Sequence, residues 1–175
     1  MKLYFAAFKG ISVSSKIIKH QTGGLFSHIA IFLDGHAKEM CEKRGYPVND
    51  KCFIEQWPHG DNFFDAWFDF SNLAEHTPGT QYEIWSLDLP WEQWQYCMEY
   101  YLNHLKEPYD WAGIAHFRIK MIKEDPNKSF CSEIAIEPIL RVRRIQHLSS
   151  HNIHPSGLIG LVEFAGGKLE EARMV

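Results

Sequence analysis

The sequence predicts an α+β protein, an antiparallel sheet packed against helices, and three features carry that expectation. SHIAIFLDG at 27–35 and TQYEIWSLDL at 80–89 alternate apolar residues with small or polar ones, the period of a strand that buries one face. Behind Pro90, the residues Trp91, Trp94, Met98, Tyr101, Leu102 and Leu105 recur at three- and four-residue spacing, the stripe of an amphipathic helix. Such segments interleave along 175 residues with no repeat, linker or low-complexity tract, so one domain over 1–175 is expected.

The other elements follow in chain order. KLYFAAF at 2–8 reads as a short buried strand, and SVSSKIIKHQT after Gly10 as a helix capped by Ser12 or Ser14 and ended by Gly23-Gly24. The histidine-led strand at 28 closes on an Asp-Gly turn signal at 34–35. Residues 36–50 are polar, with Gly45 and Pro47, and suit a loop or a short helix. KCFIEQW is a further strand stopped by Pro58, while FFDAWFDF at 63–70 fits neither period. An apolar segment at 111–122 is broken by PNK at 126–128. A helix then opens at SFCSEIAIEPILRV, with Ser129 as its cap and Pro138 expected to kink or shorten it. The tail offers a turn at HPSG and a short apolar run, LIGLVEF.

Charge and composition exclude several roles. Lys and Arg total 18 against 22 Asp and Glu, a net charge of -4, which argues against neutralising nucleic-acid phosphates. Arg141, Arg143 and Arg144 are too short a run for that purpose and read as a solvated helix end. The cysteines at 41, 52, 97 and 131 form no Cys-x-x-Cys pair, and no His-Glu-x-x-His occurs, so no metal and no cofactor is expected. No stretch reaches the roughly 20 apolar residues of a membrane span, and no cleavable signal peptide is legible at MKLYFAAFKG. The expected location is the cytoplasm, or outside it by a route that needs no cleavable signal. Oligomeric state has no signature in the chain.

Two residues suggest chemistry. Cys131 falls in the first turn of a helix, where unpaired backbone N–H groups and the positive dipole end favour the thiolate, the reactive form. His28 opens a core strand behind a Gly-Gly loop, where the backbone would fix its ring, whereas His36, His59 and His76 fall in polar loops. On the residues alone, Cys131 stays open between a nucleophile and a small buried hydrophobe, and His28 between a base and a structural histidine.

The blocks carrying these residues resemble a known superfamily. SHIAIFLDG resembles the histidine strand of NlpC-type cysteine peptidases, PYDWAG at 108–113 their Pro-Tyr-x-Trp-Gly-Gly segment, and FCSEIA at 130–135 their Asp-Cys-Ser-Gly helix start. Here the cysteine follows the histidine and Glu133 replaces the glycine, both as in the circularly permuted branch of YiiX-like proteins and lecithin:retinol acyltransferase relatives. That branch is also similar in its Ser-x-x-Ile, Thr-Gly-Gly and Ser-His-x-x-Ile elements. These match Ser15-Lys16-Ile17-Ile18, Thr22-Gly23-Gly24 and Ser27-His28-Ile29-Ala30-Ile31. Tyr109-Asp110 and Phe130-Cys131-Ser132-Glu133 complete the order, and the resemblance runs over about residues 10–160. Ala30 departs from the glycine usual at its place, as does Pro138 from the usual nucleophile helix.

The resemblance implies a papain-like domain and assigns roles. Cys131 is its nucleophile and His28 its general base; Glu55 is the third residue orienting the histidine, with Gln56 the alternative if the strand register is shifted by one; Tyr109 lines the substrate site. The implied activity is thiol hydrolysis of an amide, in a cell-wall peptide or an acyl-amide, through a thioester. An acyl-transferase using the same thioester and a catalytically silent binding module are the alternatives.

Overall fold

The computed structural model describes residues 1–58, 66–112 and 127–175. The α+β expectation holds. A six-stranded antiparallel sheet is built from β1 (Lys2–Phe8), β2 (His28–Phe32), β3 (Phe53–Pro58), β4 (Ala66–Ser71), β5 (Gln81–Asp88) and β6 (Lys168–Met174), in the order β4-β3-β2-β1-β5-β6. Among the described residues five α-helices accompany it: α1 (Val13–Thr22), α2 (Gly35–Lys43), α3 (Trp91–Asn103), α4 (Cys131–Val142) and α5 (Pro155–Phe164).

Period-two alternation sorts the strand residues between two faces. Phe5, Ala7, Ile29, Ile31, Ile54 and Phe68 share the main core with Trp94, Met98 and Tyr101 of α3, Ile134, Ala135 and Ile139 of α4, and Leu158 and Val162 of α5. Burying each large side chain of this kind contributes about 1.5–3 kcal/mol. Ala6, Phe8, Ala30, Phe53, Tyr82 and Ile84 form a second, smaller cluster. These are the residues of the opposite parity, and His28 and Glu55 belong to the same alternation.

Local chemistry fixes the element ends. Ser12 caps α1 by accepting the Ser15 N–H, and Gly23 closes it at φ 66, a left-handed conformation that favours glycine. Asp34 caps α2 by accepting the Ala37 N–H, so the Asp-Gly pair starts a helix instead of turning a hairpin.

Several expectations need correction. Ser129 does not cap the fourth helix: Phe130 is the capping residue, and α4 begins at Cys131 itself. Pro138 neither ends nor shortens α4, which runs to Val142, because Ile134, Ala135, Ile136, Ile139 and Leu140 are buried on both sides of it. Packing there outweighs the backbone hydrogen bond a proline cannot donate. LIGLVEF belongs to helix α5, with Pro155 in its first turn and His154 Nδ1 accepting the Gly157 N–H. Lys168–Met174, too polar to read as a strand, pairs along β5 as a charged edge. Trp91 is half exposed and turns away from the core. Ala66–Ser71 resolves part of the ambiguous 63–70 stretch as β4, while 63–65, His59 and most of the apolar 111–122 segment lie outside the described residues.

Tyr101 ties α3 to α4, its hydroxyl donating to the Ala135 carbonyl at 2.8 Å with the side chain fully buried. Tyr101→Phe is expected to lower unfolding free energy by about 0.5–1.5 kcal/mol in urea denaturation; an unchanged midpoint contradicts this tie.

Candidate active site

Cys131 is the first residue of α4, and the segment before it is held from three sides. The Ser129 carbonyl accepts from Gln56 Nε2 at 2.8 Å and from the Asp110 N–H at 2.7 Å, and Ser129 Oγ lies 3.0 Å from the same Gln56 nitrogen. Glu133, in the first turn, accepts the Phe130 N–H at 3.4 Å and pairs with His151 Nδ1 at 2.6 Å. A carboxylate in the first turn also complements the helix dipole. Glu133 thus secures the start of the helix that carries the thiol.

Tyr109 is pinned to both sides of this junction. Its N–H donates to the Ala66 carbonyl of β4 at 2.9 Å, and Tyr109 bridges Ser129 in parallel fashion. Its side chain packs with Ile18, Ala66, Phe130 and Cys131 in a small buried cluster. Cys131 itself is only 1% exposed, covered by those neighbours.

His28 opens β2 and Glu55 lies in β3. Phe32 pairs with Phe53, so alternation sends Ala30, His28 and Glu55 to one face. The small Ala30 leaves that face open between them, and His28 Nε2 meets Glu55 Oε2 at 2.5 Å. Cys131 lies close enough to the same ring to bear on its protonation. Gln56, of the opposite parity, turns instead to Ser129. The structure brings Cys131, His28, Glu55 and Tyr109 together, and of the two alternatives in β3 it is Glu55 that reaches the histidine.

The electrostatics follow from burial and neighbours. Burial by itself favours the neutral imidazole of His28. The charge of Cys131 and the hydrogen bonds to Cys131 and Glu55 outweigh it and raise the His28 pKa to about 10. Burial pushes Glu55 up, but His76 and His28 beside it hold the carboxyl well below its ordinary value. Burial, then Cys131, pushes the Tyr109 hydroxyl well up, so it stays a proton donor.

His76 belongs to this constellation and was missed by the sequence reading, which placed it in a polar loop. Its ring is 4% exposed, and Nε2 lies 3.0 Å from Glu55 Oε1. The one available signal was Asn72-Leu73-Ala74-Glu75 just before it, the pattern of a capped turn.

A cleft of about 220 Å³ opens against the site. Its walls include Ser12, Ser14 and Ser15 from the start of α1, Trp57 of β3, Tyr109 and Trp111, together with His28. Among the described residues no three His, Cys, Asp or Glu side chains are gathered to hold a metal ion, and no helix is long and apolar enough to cross a membrane. All four cysteines are free thiols. Compared with known proteins, the chain matches no family model and no curated sequence.

The shifts set a pH window for stability. His28 binds its proton more tightly when folded, so its contribution is complete below pH 6.5 and is lost as pH rises towards about 10. Glu55 runs the other way: its contribution is complete above pH 4.5 and is lost as pH falls below that. Melting temperatures of the wild type and His28→Gln are therefore expected to differ most between pH 4.5 and 6.5 and to converge towards pH 10. A gap that stays constant over that range contradicts the assignment.

Proposed function

We propose that this protein is a thiol hydrolase of the permuted NlpC-type, papain-like kind, cleaving an amide through a Cys131 thioester. The observation that carries the reading is the line of groups Cys131–His28–Glu55. A thiol at a helix N-terminus neighbours an imidazole whose Nε2 is held by a buried carboxylate at 2.5 Å. Position and partners together make a cysteine nucleophilic.

In the reaction, His28 holds the proton taken from the Cys131 thiol, and the thiolate adds to the carbonyl carbon. Negative charge develops on the carbonyl oxygen, and in this reading the donors to it are the backbone N–H of Cys131, at the first position of its helix, and the Tyr109 hydroxyl, which stays protonated. The tetrahedral adduct collapses as the C–N bond breaks and the leaving nitrogen takes the proton from His28. Neutral His28 then takes a proton from water as its oxygen attacks the thioester. The S–C bond breaks, the acid departs, and the proton on His28 restores the starting pair. Glu55 keeps the ring in one orientation throughout.

One observation favours transfer to an acceptor other than water. Cys131 is buried among Ile18, Ala66, Tyr109 and Phe130 with Trp111 packed against them, an apolar cover that limits the approach of water to a thioester there. An acyl chain or a wall peptide both fit such aromatic walls. Hydrolysis and transfer share every step up to the acyl-enzyme.

Incubation with muropeptides and with N-acyl amides, read by intact mass, is expected to give an acyl adduct on Cys131 and product release. Added amines or alcohols divide the adduct between water and acceptor. Cys131→Ala is expected to abolish turnover, and His28→Ala to lower kcat by roughly 10²–10⁴-fold. Turnover that survives Cys131→Ala overturns the proposal.

A further inference from the structure

Glu55 does more than touch His28. It is a carboxylate with 0% exposure, and both its oxygens are occupied. Oε2 faces His28, while Oε1 accepts from Ser71 Oγ of β4 and faces His76 Nε2 at 3.0 Å. A carboxylate on a strand can rotate about its last bond, and groups gripping Oε1 add to the His28 hydrogen bond in keeping Oε2 on the imidazole. Two such grips are present, and one of them is a second histidine.

His76 is itself held firmly. Its ring stacks on Phe8 of β1 with centroids 4.0 Å apart and planes within 5°. Trp57 lies 4.3 Å away and Phe53 meets it edge-on at 5.7 Å. Its backbone N–H donates to the Leu73 carbonyl, closing the turn in which Asn72 and Glu75 cap one another. Thr77, the next residue, is a wall of the cleft. The neighbours that present charged or titratable groups to the His76 ring are Glu55 from β3 and His28 from β2, the two rings lying 6.3 Å apart; β1 presents Phe8, and β4 contributes Ser71 to the same carboxylate. A polar ring that takes up this much aromatic packing to reach one buried oxygen is costly unless the hydrogen bond is made.

We propose that His76 is a positioning residue of the active site, acting through Glu55: its Nε2–H grips Oε1 so that Oε2 stays on His28 and keeps the imidazole aligned with Cys131. The proposal rests on the reading of Cys131 and His28 as a nucleophile pair, and the test separates the two.

The test uses the whole chain and iodoacetamide, with the alkylation rate of each cysteine read by peptide mass after digestion, so that no substrate need be known. In the wild type Cys131 is expected to react faster than the half-buried Cys52 despite its own burial; if it does not, the nucleophile reading itself fails. Given that enhancement, His76→Phe, which keeps the stacked ring and loses the donor, is expected to slow Cys131 alkylation about 10- to 100-fold, the loss of a hydrogen bond to a charged group. Gln places an N–H close to the position of a histidine Nε2 and Asn does not. His76→Gln is therefore expected to stay within about threefold of the wild type, and His76→Asn to fall with the Phe variant. The Gln and Asn pair carries the question even where His76→Phe fails to fold. Equal rates in the wild type and in folded Asn or Phe variants overturn the proposal, as does a Gln variant as slow as Asn, since a purely structural ring would not distinguish the two amides by reach.

Discussion

A carboxylate sealed from water has to be held by cations and hydrogen bonds, and Glu55 is the point from which the rest of this structure can be understood. Its two oxygens are taken up by His28 on one side and by His76 and Ser71 on the other. Leaving any such group unpaired in the interior costs several kcal/mol, so the strands that bring these partners together are tied to one register. A slip of one residue in β3 would put Gln56 on the face of His28 and drive Glu55 into the apolar layer beneath α4. The Phe32–Phe53 pair and the aromatic packing of Phe8 against His76 fix that register from the apolar side.

The other half of the site is a matter of anchoring. Cys131 enters at the start of α4, and the helix is held along its length by the main core and near its middle by Tyr101. Its entrance is set by Gln56, whose amide takes the Ser129 carbonyl, and by the bridge from Tyr109. Adjacent residues of β3 therefore serve the two sides of the site: Glu55 holds the imidazole, and Gln56 holds the segment that leads to the thiol. Alternation along a strand lets one short segment do both. The thiol's burial among Ile18, Ala66 and Tyr109 limits the approach of water, which strengthens every electrostatic interaction around it.

Much of this was legible in the sequence where a residue's period or cap is local. Strands β1, β2, β3 and β5 and helices α1 and α3 follow from alternation, Gly23 and Pro90. What escaped depends on distant partners. Edge strand β6 is polar throughout and exists because β5 offers an open row of backbone groups. Helix α4 survives Pro138 because of core packing no local rule records. The choice between Glu55 and Gln56 turned on the pairing of Phe32 with Phe53, and His76 was invisible because its partners, Phe8 and Glu55, come from strands far away in sequence.

The charge state of His28 is the most direct measure of whether these groups work as a unit. Nitrogen NMR of the imidazole, on protein labelled at histidine, reports both ring nitrogens. With Cys131 and Glu55 flanking it, His28 should carry protons on both nitrogens at pH 8 and lose the second only as pH approaches about 10. A neutral ring at pH 8, titrating near the ordinary 6.5, would mean that thiol, imidazole and carboxylate do not share charge and that the site is an ordinary buried histidine beside an inert cysteine.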